Sequence, residues 1–337
     1  MKHLIKSASI ALALSASAAF AEAEHTLIIS SWAPPTHGIN AQKWPTFVDM
    51  VEEATDGKVT AELKLGIAPP PAQMDIVQDG AADVSIIFHG YQPGRFVTTK
   101  LIELPGYEGT AEEASVAYWR VYESHLQAAD EHRGVKVIAM HTHGPAQLHT
   151  SNEITSLEDV SGLKVRIPGG VGGDVGSALG ATGIQVPAPK VYETLASNAA
   201  DGVVMPMESR KGFKLTEVAQ NVYELPGGLY RGSFAFIMNE DVFADLPEKY
   251  QTALQEQVFG EPLSRALGAI WDDIDAAGRQ ATESTDGNTI VPASADDIAT
   301  FEKLSEGIIA NVLQEVDGKG VDANAAHAQV RAELAAQ

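Results

Sequence analysis

The chain has 337 residues, a formal net charge of −22 and no cysteine. So acidic a surface repels nucleic acid and anionic lipid, which excludes both as partners. The lack of cysteine excludes disulfides, a thiolate metal site and lipid attachment behind a leader, and a chain this long buries enough core without staples.

Lys2 and Lys6 precede an uncharged Ala/Leu-rich stretch from Ser7 to Phe20, and Ala19-Phe20-Ala21 offers small residues where a signal peptidase reads. This is the pattern of a secretory signal cleaved near Ala21. The apolar run is shorter than the roughly 20 residues of a bilayer span, so residues 1–21 read as a leader and the mature chain as soluble and periplasmic. His25 to Trp32 reads as a strand ending in the Pro-rich loop Ala33–Gly38, and Asn40 to Thr55 as a helix with Trp44, Phe47, Val48 and Val51 on one face. Asp56-Gly57 stops that helix, and Lys58 to Leu65 alternates as a strand. A short helix at Pro71–Asp79, a buried strand at Ala82–Phe88, a long helix at Thr110–Glu131 and a strand at Val135–His141 complete a first unit.

A second unit begins near Gln147. It contains a Ser-capped turn at Ser156–Val160, the strand Leu163–Ile167 and a Gly-rich turn and helix at Gly169–Gly180. Strands at Ile184–Val186 and Gly202–Met205 flank a helix at Pro189–Ala196, and Ser233–Met238 reads as a strand returning to the first unit. Beyond Asp241 the chain is helical, from Pro247 to Ser264 and on through Trp271 to Glu283, with an extended break at Ile290–Pro292 before two terminal helices. Alternation of strand and helix on this scale implies α/β architecture with largely parallel sheets. No repeat of fixed period and no low-complexity linker separates the units.

The glycine run Gly169–Gly176 opens a helix after a strand, but a dinucleotide fingerprint needs a glycine where Val175 stands. These glycines read instead as a place where backbone approaches a ligand closely. There is no G-x-S-x-G elbow, phosphate-loop lysine or H-E-x-x-H. His141 and His143 share a strand face without a third ligand, and read as polar groups lining a cleft rather than a metal pair. No cofactor and no nucleophile with its base is indicated.

Four co-linear blocks carry a resemblance. They are Gly90-Tyr91-Gln92-Pro93-Gly94-Arg95-Phe96 with Glu103-Leu104-Pro105-Gly106; Ser156 through Arg166 (SLEDVSGLKVR); Val191-Tyr192-Glu193-Thr194-Leu195 with Ala200-Asp201-Gly202-Val203; and Met238-Asn239 before Leu246-Pro247. In this order the chain resembles the solute receptors of tripartite ATP-independent periplasmic (TRAP) transporters, DctP type. The resemblance implies a two-lobed periplasmic binding protein that closes over its ligand like a hinged trap, with long C-terminal helices spanning the lobes. It implies a receptor that binds a small organic carboxylate and delivers it to integral membrane subunits. On that reading residues 22–146 with about 235–275 form lobe I, and residues 147–234 with about 276–337 form lobe II. Arg166, ending the Gly-Leu-Lys-Val-Arg block, is implied to grip the ligand carboxylate, and its place at the carboxyl end of a parallel strand suits that role.

Many sugar-acid and dicarboxylate receptors of this family carry a second arginine before the second-lobe block, where Ala146 stands here. One anchoring arginine favours a monocarboxylate, although Arg95 could supply a second charge or serve a structural role. Further cleft candidates leave strand ends: Trp32, His37, Phe88, His89, Tyr91, His143, Met205, Met207, Glu208 and Phe213. Glu208 could meet a ligand cation or accept a hydrogen bond from a hydroxyl. The rival readings are a periplasmic enzyme on a similar scaffold and a subunit presenting ligand to a membrane sensor.

Overall fold

A computed structural model describes residues 23–336; the leader segment read from the sequence lies outside them. Among the described residues eleven strands form two sheets. The first contains β1 (His25–Ser31), β2 (Val59–Leu65), β3 (Val84–Phe88), β4 (Lys136–Thr142) and β10 (Ser233–Met238), in the order β2-β1-β3-β10-β4. The second contains β5 (Ala146–Thr150), β6 (Lys164–Ile167), β7 (Thr182–Gln185), β8 (Gly202–Pro206), β9 (Asn221–Glu224) and β11 (Thr289–Pro292), in the order β11-β9-β5-β8-β6-β7.

Each sheet is parallel except for one strand. In the first sheet β10 runs antiparallel to both β3 and β4, and in the second β5 runs antiparallel to both β8 and β9. Those two are the strands through which the chain changes lobe, β4 to β5 across His143–Pro145 and β9 to β10 across Leu225–Gly232. A chain that crosses between lobes as an extended ribbon arrives in the new sheet pointing the opposite way. β5 and β9 were not foreseen from the sequence: each is four or five residues long and carries polar groups, His149 and Gln147 in β5 and Asn221 in β9.

The helix expected at Pro247–Ser264 is two helices, Glu248–Gln257 and Glu261–Glu283, broken at Gly260. Gly260 has φ +84°, a left-handed backbone that few other residues adopt, and it ends one helix where Pro262 starts the next. The second helix, 23 residues long, lies behind both lobes. Near its middle Asp272 takes the backbone N–H groups of Ala111 and Glu112 at 2.7 and 2.9 Å, capping the first-lobe helix Ala111–Val121. One turn on, Asp275 takes the N–H of Glu208 in the second lobe at 2.7 Å. A single helix therefore grips both lobes through two acidic side chains.

The same helix meets the second lobe at Gly278, where a Cβ would lie 2.0 Å from the carbonyl oxygen of Met207. Gly278→Ala is expected to force these backbones apart and cost about 1–3 kcal/mol, as overpacked cores do. Urea unfolding monitored by circular dichroism measures it; an unchanged midpoint would mean that the contact yields freely. Residues 276–337 were assigned to the second lobe from sequence, yet the last helix, Ala323–Ala335, packs on Ala111–Val121 of the first. No described helix is long and apolar enough to cross a membrane.

Candidate functional site

The lobes meet over a small cavity at the carboxyl ends of the parallel strands. It is lined by Trp32, His37, Phe88, Tyr91, His143, Arg166, Met205, Glu208, Phe213, Tyr230, Phe234 and Trp271, together with small apolar residues. About 370 Å³ of non-atom space lies among them, mouth included. Of the thirteen cleft candidates read from the sequence, nine come together here.

Arg166 comes from β6, which sits between β7 and β8 with Arg166 paired to Ile184 and Val203. Its side chain is 1 % exposed. Nε donates to the carbonyl of Val186 at 2.8 Å, which fixes the plane of the fork, and the guanidinium lies beside the Tyr91 hydroxyl. One terminal nitrogen, Nη2, is buried with no hydrogen-bond partner. A buried donor on a cation costs free energy while unpaired, so this nitrogen is poised for an acceptor brought by something else.

Opposite walls are aromatic. Phe88 packs on Tyr91 and on Phe234 with ring centres 4.6 and 5.0 Å apart, and Trp32 meets Tyr91 edge-on at 6.0 Å. The Trp32 indole donates to the carbonyl of Ile86 at 2.9 Å, holding the ring in place. Burial pushes the Tyr91 phenol above its usual range, so it stays protonated; its oxygen accepts the N–H of Ala188 at 2.8 Å.

A polar corner faces these rings. His37 Nδ1 accepts the N–H of Ile39 at 3.1 Å, so Nε2 carries the proton, and it lies 2.9 Å from Glu208 Oε2. The pair fits only because residue 212 is glycine: a Cβ there would lie 2.6 Å from Glu208 Oε2 and 2.8 Å from the His37 ring. Lys43 is buried behind this corner, donating to the carbonyl of Leu267 at 2.7 Å with its ammonium 4.0 Å from the centre of the Trp271 ring. Burial holds its pKa well below the lysine range, against the pull of Glu208, Asp272 and Asp275. Burial likewise raises Asp275 to about 8.

His143 belongs to the wall but is wired to the lobe crossing. Nδ1 donates to the carbonyl of Gly144 at 2.6 Å, and Nε2 accepts the N–H of Gly232 at 3.1 Å. Burial lowers its pKa to about 3, which keeps the ring neutral. His141 turns away from the cavity into the first lobe, stacked at 5.1 Å on Phe234 and taking the Trp271 indole N–H at 3.0 Å. Among the described residues no cluster of three or more carboxylates or histidines is arranged to hold a metal.

Besides His141, three candidates lie elsewhere. His89 follows Phe88 and points the other way, its nitrogens 2.9 Å from Ser233 Oγ and 2.9 Å from His132 Nε2. Met207 is buried outside the cavity, where the chain leaves β8 to turn into the short helix Ser209–Gly212. Arg95 is bound at the surface to Asp75, Gln92 and Gln78, the structural alternative held open above. Tyr230, Phe234 and Trp271 were missed. Phe234 lies on a strand foreseen from the sequence and Trp271 in a foreseen helix, where a large aromatic reads as core.

The lobes also touch beside the cavity. Glu103 of the first lobe accepts the N–H of Val171, in the helix Gly170–Ala178 of the second, at 2.9 Å, while Ser233 Oγ donates to its other oxygen at 2.9 Å. With Tyr91–Ala188 and His37–Glu208, this makes the arrangement a closed one. Glu103→Gln presents an amide N–H either to Val171 or to the two donors of Ser233, and is expected to weaken ligand binding about 5- to 30-fold, the worth of a lost hydrogen bond of about 1–2 kcal/mol. Calorimetry on the variant checks this; an unchanged Kd would remove the contact from the closure.

The family model for bacterial extracellular solute-binding proteins, family 7 (DctP), matches residues 30–315. The chain belongs to that family. A TRAP periplasmic solute-binding protein from Bordetella bronchiseptica, solved with (R)- and (S)-mandelate, is 38 % identical with a TM-score of 0.89, covering 92 % of this chain and 99 % of its own. A marine-metagenome TRAP solute-binding protein described as specific for aromatic acid ligands, solved with metahydroxyphenylacetate, is 27 % identical at TM-score 0.86, covering 93 % and 99 %. One from Rhodoferax ferrireducens with copurified benzoate is 27 % identical at TM-score 0.86, covering 92 % and 98 %. The chain is thus a TRAP-type solute receptor with the two-lobed α/β fold, in a family of periplasmic binding proteins that work with membrane subunits.

Proposed function

We propose that this receptor captures an aromatic monocarboxylate in the periplasm and delivers it to the membrane subunits of a TRAP transporter. One observation carries the reading: the buried Arg166 fork keeps a donor without a partner inside a box of aromatic rings. A carboxylate matches that fork with parallel charge-assisted bonds. The rings of Trp32, Phe88, Tyr91, Phe213, Tyr230, Phe234 and Trp271 suit a flat apolar body through offset and edge-on contacts. Arg166 is the single arginine or lysine among the lining residues, and Glu208 across the cavity would repel a second ligand carboxylate, which disfavours diacids.

Transport follows from differential affinity. Arg166, Glu208 and Phe213 stand on the second lobe and Trp32, Phe88 and Tyr91 on the first, so a ligand touching both favours the closed form. Mandelate-, benzoate- and hydroxyphenylacetate-bearing relatives support the ligand class. Trp32 and Trp271 supply a test: titration with benzoate or mandelate is expected to change indole fluorescence saturably, whereas succinate at the same concentrations leaves it unchanged. Saturation by succinate and none by aromatic acids would overturn the reading.

A further inference from the structure

Glu208 is the one acidic residue lining the cavity, and it is 4 % exposed. A buried carboxylate is costly unless its oxygens receive hydrogen bonds. Oε2 lies 2.9 Å from His37 Nε2, and Gly212 leaves room for that pair. Among the described residues no hydrogen bond is made to Oε1: the nearby Lys43 amine donates to the Leu267 carbonyl, and Asp275 accepts the Glu208 backbone N–H. The cavity thus presents a buried guanidinium N–H without a partner at Arg166 and, on another wall, the Glu208 carboxylate, the one anionic group among its lining residues.

We propose that Glu208, aligned by His37, accepts a hydrogen bond from a hydroxyl of the ligand, so that the preferred ligand is a hydroxyl-bearing aromatic monocarboxylate. The inference rests on the reading of the cavity as an aromatic-acid site and sharpens it. A hydroxyl donates once, which matches one free oxygen. An ammonium would bring three donors to a corner with one anionic acceptor and would otherwise rest on ring faces through cation–π contact, so phenylglycine is the competing outcome of the test. A site built to receive a hydroxyl penalises the analogue that lacks it, because the buried acceptor is then left unpaired. Glu208 is therefore a specificity determinant, while Arg166 serves every carboxylate alike.

The test is a set of calorimetric titrations of the wild-type protein and Glu208→Gln with matched acids: benzoate against 3- and 4-hydroxybenzoate, phenylacetate against mandelate, and phenylglycine for the ammonium. In the wild type at least one hydroxyl acid is expected to bind tenfold or more tighter than its parent. The hydroxybenzoate and mandelate arms tell a ring hydroxyl from a side-chain hydroxyl. In Glu208→Gln the hydroxyl preference shrinks to within about threefold, over and above the loss common to parent and hydroxyl acids that a weakened His37 contact between the lobes brings, and a merely structural role would produce only the common loss. Equal binding of parents and hydroxyl acids by the wild type overturns the proposal without needing the variant, as does tightest binding of phenylglycine or a preference that survives Glu208→Gln. Failure of every aromatic acid to bind would instead sink the underlying ligand class.

Discussion

Arg166→Ala is expected to weaken binding of aromatic monocarboxylates at least hundredfold while the protein still folds cooperatively. The substitution removes a guanidinium that is 1 % exposed and leaves the ligand carboxylate buried against aromatic rings with no counter-charge. Breaking one side of such a pair costs about 3–5 kcal/mol. Arg166 has a single hydrogen bond to the protein backbone, at Val186, and stands on a strand held by both β7 and β8, so the local fold survives its loss. Arg166→Lys keeps the charge but not the planar fork, and should fall between the two. Calorimetry measures all three. An alanine variant within threefold of wild type would make Arg166 a structural residue and leave the cavity without its anchor.

Acid should destabilise the fold steeply below about pH 6.5. Burial holds His132, His143 and His149 at about 3, with His132 lowered further by Arg95, and holds His89 and His141 well below 6.5. A group whose folded pKa is depressed stabilises the fold above its unfolded pKa, and that contribution is lost as pH falls. These five rings stay neutral when folded and take up protons when unfolded below 6.5. Glu103 and Asp275 act in the opposite sense: burial raises them to about 7 and about 8, so near pH 5.5 unfolding releases their protons. Five protons gained against two released leave a net uptake of about three, worth up to about 4 kcal/mol per pH unit at the steepest. Scanning calorimetry between pH 6.5 and 4.5 should show Tm falling throughout. A flat or rising Tm would mean that the histidines are accessible to protons in the folded state.

Much of this was legible because it depends on local pattern. The family resemblance marks Arg166, in agreement with its place at the carboxyl end of a parallel strand, and the aromatic and polar residues at strand ends mark Trp32, His37, Phe88 and Tyr91. Period-two alternation misplaced His89, since only one of two adjacent strand-end residues can face the cleft. Met207 failed because the chain turns into a helix after Pro206, which breaks the alternation set by Met205. Trp271 was hidden for a different reason. Its position on an amphipathic helix predicts burial but not whose wall it forms; that depends on the Asp272 and Asp275 contacts that draw the helix behind both lobes. The two crossing strands, β5 and β10, run against their neighbours for the same kind of reason, since direction is fixed by a partner lobe rather than by the segment itself.

The most direct test of the account is an isothermal titration of the purified receptor with an aromatic monocarboxylate such as mandelate and, separately, with an aliphatic diacid such as succinate. The account predicts one-to-one binding of the aromatic acid, micromolar or tighter, and none of the diacid. Tight binding of succinate with no heat from any aromatic acid would contradict it.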